Sequence, residues 1–121
     1  MKKIVYVLTH DPKERCELLS SAFAQALTAL SFGYECEVFV LDNAIKMLRP
    51  EYIEGLKANA FNPLSELIQY YHDMGGKLYG CNPAMNARDI KSESCMGGID
   101  GYVNATQLIE SSVAANAVFT F

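Results

Sequence analysis

"KIVYVLTHDPKERCELLSSAFAQALTALSFGYECEVFVLD", residues 3–42, is the stretch whose reading decides the fold. Lys3 to Leu8 is short, apolar and rich in β-branched residues, so it reads as a strand. The turn that follows carries a helix start: Asp11 suits the cap, Pro12 the first helical position, and Glu14 the third position of a capping box. Cys16, Leu19, Phe23, Ala26, Leu27 and Leu30 then recur at helical spacing, and Gly33 supplies a left-handed stop after about five turns. "ECEVFVLD", residues 35–42, alternates at first and then becomes continuously apolar, the pattern of a strand covered on both faces. Strand, helix and strand together make a β-α-β unit, whose two strands run parallel because a crossover separates them.

The same alternation continues downstream. Short helices are expected around Ala44 to Leu48 and Glu51 to Lys57, divided by Pro50. Leu64, Leu67, Ile68 and Tyr71 mark one face of a helix that ends at Gly75-Gly76, and "KLYG" reads as a third strand with Cys81 just past its end. Pro83 to Arg88 reads as a short helix, and Glu93 to Tyr102 as a Gly-rich segment with a short strand. Ala105 to Val113 follows as a helix and Ala117 to Phe121 as a closing strand. The fold class is therefore α/β, a flavodoxin-like or Rossmann-like three-layer arrangement with a mostly parallel sheet of about five strands. Residues 1–121 form one domain on this reading. With a strand order beginning 2-1-3, the loops after the first and third strands border one crevice at the carboxyl ends of the strands, and His10 and Cys81 face it together.

Composition narrows the function classes. The chain has 121 residues, half of them hydrophobic, and a formal net charge of -4. That is enough for one core, and the absence of a basic cluster argues against a nucleic-acid partner. No apolar run approaches the roughly 20 residues of a membrane-spanning helix, so no membrane partner is expected. The two N-terminal lysines precede a run that is too short, and too strand-like, for a signal peptide. A cytoplasmic setting follows as the expectation. The four cysteines are then free thiols, and the Asn104-Ala105-Thr106 sequon has no role.

Chemistry concentrates on "LYGCNPAMNAR", residues 78–88. A thiol between a strand end and a Pro-containing helix start lies near free N–H groups and the positive end of the helix dipole, both of which favour thiolate. Free cysteine is also among the residues most often buried as a small apolar filler, and both readings of Cys81 stand. Cys16 falls on the apolar stripe of the first helix, and Cys36 shares a strand face with Val38 and Val40. Both read as core. Cys95 reads as structural, with a resolving thiol as the alternative. No metal is expected, since neither histidine has ligand spacing and no Cys-x-x-Cys occurs. No cofactor is expected either. The first strand-to-helix loop has no glycine to cradle a phosphate, and Asp11 and Glu14 would repel an anion. His10 can furnish a hydrogen bond or a proton to the crevice, although Thr-His-Asp-Pro is also ordinary turn material. Arg88 and Lys91 can attract an anion.

Taken together, "KIVYVLTHDP", "AFAQALTALSFGYECEVFVLD", "GGKLYGCNPAMNARDI" and "ANAVFTF" resemble the DsrE/DsrF-like family, which includes sulfur-relay subunits of the TusD kind. The cysteine segment is the most specific of the four, with Cys81 and Arg88 matching a strand-end cysteine and a following basic residue in many relatives. Where relatives often have Arg-Gly, this chain has Arg88-Asp89, and Asn82-Pro83 directly follows the thiol. The resemblance implies a sulfurtransferase or persulfide carrier, with Cys81 bearing the sulfur; in such a transfer Arg88 would stabilise the anion, and His10, placed at the crevice by the topology, would hydrogen-bond it. It also implies a homotrimer or homohexamer and protein thiols as donor and acceptor. The alternative is a non-catalytic oligomeric binding or regulatory module of the same fold with Cys81 passive.

Overall fold

In a computed structural model describing residues 1–121, Lys3–Leu8 (β1) pairs in parallel with Glu35–Val40 (β2), and β2 pairs with Lys77–Cys81 (β3). Gly101–Val103 (β4) extends the sheet beyond β3, and Ala117–Thr120 (β5) extends it beyond β1. All four pairings are parallel and the order is β4-β3-β2-β1-β5. The α/β class and the parallel sheet expected from the alternation are present. The order beginning 2-1-3 is not, because β2 lies between β1 and β3. Its "VFV" residues Val38, Phe39 and Val40 are buried, as befits the central strand.

The helices are Cys16–Ser31 (α1), Pro50–Ile53 (α2), Leu64–Asp73 (α3), Asn82–Ala87 (α4) and Ala105–Ala114 (α5), with a 3-10 segment at Asp42–Leu48. Strand alternation assigns Tyr6, Leu8, Cys36, Val38, Val40 and Leu78 to one face of the sheet, where they join Leu19, Phe23, Leu67 and Tyr71 of α1 and α3 in a single core. The connections from β1 through β4 step across the sheet in one direction. The last one returns past β3, β2 and β1 to β5. A right-handed crossover in the reverse direction places its helix on the opposite face, and α5 accordingly packs over β1 and β4 from there. That second face has one helix for five strands. Where α5 leaves it open, it carries charged side chains, including the Lys3–Glu37 ion pair at 2.7 Å.

The first loop departs from the expected capping box. α1 starts at Cys16 with Arg15 as its cap residue, and although the Glu14 N–H donates to the Asp11 carbonyl at 3.1 Å, the Glu14 side chain makes no return bond to the Asp11 N–H. Asp11 does accept the Lys13 N–H at 2.9 Å, but its carboxylate turns inward. Both of its oxygens accept the Tyr52 hydroxyl, at 2.9 and 2.8 Å, and Lys46 Nζ stands 3.3 Å away. Tyr52 and Lys46 lie far along the chain, so local spacing could not reveal this competition.

Burial alone would raise the Asp11 pKa. The Lys13 N–H, the Tyr52 hydroxyl and Lys46 outweigh it and hold the carboxyl below its ordinary value. Stability linked to this group is full above the unfolded-state pKa and is lost as pH falls through the lower folded-state value. The wild type is therefore expected to lose stability below about pH 4, measured as the urea midpoint across pH. Asp11→Asn should cost about 1–3 kcal/mol at neutral pH and flatten that acid dependence. Equal acid loss in both proteins would exclude Asp11 as its source.

Candidate functional site

Cys81 is the last residue of β3 and the cap residue of α4, with extended backbone angles of -88° and 118°. The strand thus runs one residue further than "KLYG" implied, and Pro83 occupies the second helical position. What brings the strand end so close to the 3-10 segment is Gly80. A Cβ there would stand 2.8 Å from Leu48 Cδ1 and 3.2 Å from the Tyr102 ring. On the other side, Tyr102 and Gly80 are register partners, as are Val103 and Cys81. The side chain of residue 81 therefore belongs to the second sheet face, the one that α5 covers.

There Cys81 forms part of the wall of a small apolar pocket of about 90 Å³, together with Phe39, Leu41, Pro83, Val103 and Leu108. Its thiol caps no backbone N–H of α4. The position of α5 above the pocket is set by a capping box in which the Asn104 side chain accepts from the Gln107 backbone, and the Gln107 side chain accepts from the Asn104 N–H at 3.0 Å. Asn82 joins this frame by donating to the Tyr102 carbonyl at 3.2 Å and to Asn104 Oδ1 at 3.4 Å. The N-x-x-Q spacing of Asn104 and Gln107 was a readable helix-start signal, whereas Phe39 and Leu108 carry no sign in the sequence that they meet Cys81.

His10 and Arg88 lie elsewhere. His10 is at the same carboxyl end of the sheet but exposed, beyond the intervening β2, with Nδ1 3.4 Å from Thr9 Oγ1. It is not among the pocket residues. Arg88 donates from Nε to Asn43 Oδ1 at 3.1 Å and from Nη1 to the Ala84 carbonyl at 3.1 Å, tying the end of α4 to the 3-10 segment. The reversal of strand order falls between β1 and β5, where Thr9 donates its N–H and hydroxyl to the Phe121 carbonyl at 2.7 and 3.1 Å.

The other thiols have different surroundings. Cys36 is 2% exposed, and burial pushes its thiol up to about 11. Burial also raises Cys95, whose Sγ lies 3.7 Å from the Lys91 carbonyl and beside Tyr102 on the first sheet face. Cys16 lies on α1, with Sγ 3.9 Å from Ser20 Oγ. A larger concavity of about 520 Å³ opens at the amino ends of the strands, among Lys3, Tyr34, Glu37 and Lys77. It is at the opposite end of the sheet from Cys81, and its only thiol is the buried Cys36.

A family model described as "DsrE/DsrF-like family" matches residues 2–121. The chain belongs to the DsrE/DsrF-like family. An uncharacterized protein of Methanocaldococcus jannaschii, MJ0989, is 31% identical over 98 residues, which is 79% of this chain and 80% of that protein. Two solved structures share the DsrE/DsrF-like fold seen here over the full length of both chains. The ychN protein from E. coli has a TM-score of 0.76 at 18% identity. MTH1491 from Methanobacterium thermoautotrophicum, a protein of unknown function, has 0.75 at 15%. No helix of this DsrE/DsrF-like chain is long and apolar enough to cross a membrane.

Proposed function

We propose that the chain is a sulfur-relay protein that carries a persulfide on Cys81 in a cytoplasmic, thiol-reducing setting. The observation that carries this reading is a strand-end thiol on the wall of a pocket at the carboxyl edge of the sheet, in a chain of the DsrE/DsrF-like family. In the transfer, the Cys81 thiolate attacks the outer sulfur of a donor persulfide. The bond from Sγ to that sulfur forms, the donor's S–S bond breaks, and its electron pair leaves as the donor thiolate. A second protein thiol then removes the sulfur by the same exchange. Arg88 acts on this reading as a positioning residue, through Asn43 and the Ala84 carbonyl. His10 stands outside the transfer step.

Incubation with a persulfide donor, followed by intact-mass and peptide mass spectrometry, tests the reading. The wild type should gain the mass of one sulfur on the peptide that contains residue 81. No gain, or a gain that maps only to another cysteine, would overturn it.

The same reading includes self-association as a homotrimer, or as a hexamer of two trimers. Supporting it are the apolar side chains left open on α5 and β5: Ile109 is 60% exposed and Val113 82%, and on the edge strand β5 Val118 and Phe119 are also exposed, one on each sheet face. Val113→Asp is expected to shift the mass measured by light scattering toward that of one 13.4 kDa chain. An unchanged oligomer would remove α5 from the interface.

A further inference from the structure

We propose that the pocket beside Cys81 receives the group the thiol carries and selects for a small, uncharged one, so that sulfur arrives as the protonated, neutral outer sulfur of a persulfide and not on a charged carrier group. This rests on the sulfur-relay reading for the identity of the cargo, but the selection itself follows from the walls. Phe39, Leu41, Pro83, Val103 and Leu108 present hydrocarbon to the thiol. The polar residue of the lining is Asn104, and its side-chain oxygen is already engaged by the first turn of α5 and by Asn82 at 3.4 Å. No charged side chain lines the cavity. An anionic group seated there would give up its hydration without a counter-charge, which is strongly unfavourable. At about 90 Å³ the space suits a single sulfur or a methylthio group and is too small for a peptide-sized thiol. An incoming persulfide therefore inserts its outer sulfur, and the donor's remaining bulk stays outside. Because the sulfur arrives with its proton and the electron pair departs on the donor thiolate, the exchange needs no other oxidant or reductant.

The test compares two reagents that attack thiols in the same way, methyl methanethiosulfonate and its sulfonatoethyl analogue. The first leaves a neutral methylthio group on the cysteine and the second a sulfonate. Rates at residue 81 are read by peptide mass spectrometry and divided by the rates for free cysteine. The wild type should prefer the neutral reagent by about tenfold or more, as expected when an unpaired charge must be desolvated. Leu108→Lys places a cation on the wall and should shift the preference toward the sulfonate. Leu108→Ala, a gentler change, should weaken the preference by opening the wall to water. Far-UV circular dichroism confirms that each variant is folded. Equal normalised rates in the wild type, no labelling of Cys81 by either reagent, or a preference unchanged in both variants would each overturn the inference. Reagent selectivity without sulfur uptake from a persulfide donor would sink the relay reading and leave the pocket's selectivity standing. Sulfur uptake without selectivity would do the reverse.

Discussion

Cys81→Ser is expected to take up no sulfur from a persulfide donor, while Cys16→Ser, Cys36→Ser and Cys95→Ser load as the wild type does. Serine is close to cysteine in shape and the side chain at 81 is only partly buried, so the fold should stay intact. It removes the atom to which sulfur would be attached. None of the remaining thiols is a ready substitute. Cys36 is sealed in the core between the sheet and α1, with Sγ directed at the Ala26 carbonyl 3.7 Å away, and burial holds it in the thiol form up to about pH 11. Cys95 is also held toward the thiol by burial and faces the other side of the sheet from the pocket. Cys16 sits in the first turn of α1, outside the pocket. The comparison is by peptide mapping after loading. Sulfur that persists in Cys81→Ser and maps to Cys95 would transfer the candidate role to that residue.

The second large effect is on stability. Gly76→Ala should cost about 3 kcal/mol, the upper part of the range for overpacking a core. A Cβ at Gly76 would lie 2.3 Å from two atoms of the Tyr71 ring. The ring has nowhere to go. It is 1% exposed, its hydroxyl donates to the Lys77 carbonyl at 2.6 Å and the Cys36 carbonyl at 3.1 Å, and its ring meets Phe23 edge-on at 5.5 Å. Yielding would break bonds that hold α3 against the starts of β2 and β3. Gly75 is the control: its φ of 90° disfavours alanine, but the added Cβ meets nothing within 4 Å. Gly75→Ala should therefore cost only about 1 kcal/mol. Urea midpoints at constant slope provide the measurement. A midpoint for Gly76→Ala no lower than that for Gly75→Ala would show that Tyr71 moves freely.

The pair of glycines also shows where sequence reading stops. "GG" marked a helix end correctly, but only the fold distinguishes a glycine that needs its backbone angle from one that makes room for a ring. Asp11 shows the same limit from the polar side. Its neighbours spelled a capping box, yet the carboxylate is claimed by Tyr52 and Lys46, which lie 41 and 35 residues away. Local signals compete with partners that become available only after collapse, and a buried carboxylate with three donors wins that competition.

By itself the sequence determined the element order and the parallel pairing, and it placed Cys81 within one residue of the end of β3. Each of these depends on short-range patterns: β-branched runs, helical spacing in α1 and α3, and glycine or proline at the breaks. Tertiary structure alone decided the strand order and the company Cys81 keeps. The β-α-β pattern requires parallel strands but is satisfied whether β3 adds beside β1 or beside β2, so the sequence could not choose between them. Placing β3 beside β2 separates Cys81 from the loop that carries His10. The same placement leaves α5 to cross the opposite face in the return to β5, and it brings Leu108 over Cys81 and Phe39. The walls of the pocket come from β2, β3, the start of α4, β4 and α5, segments spread over the chain, because the direction of one crossover determines which sheet face the thiol shares with a helix.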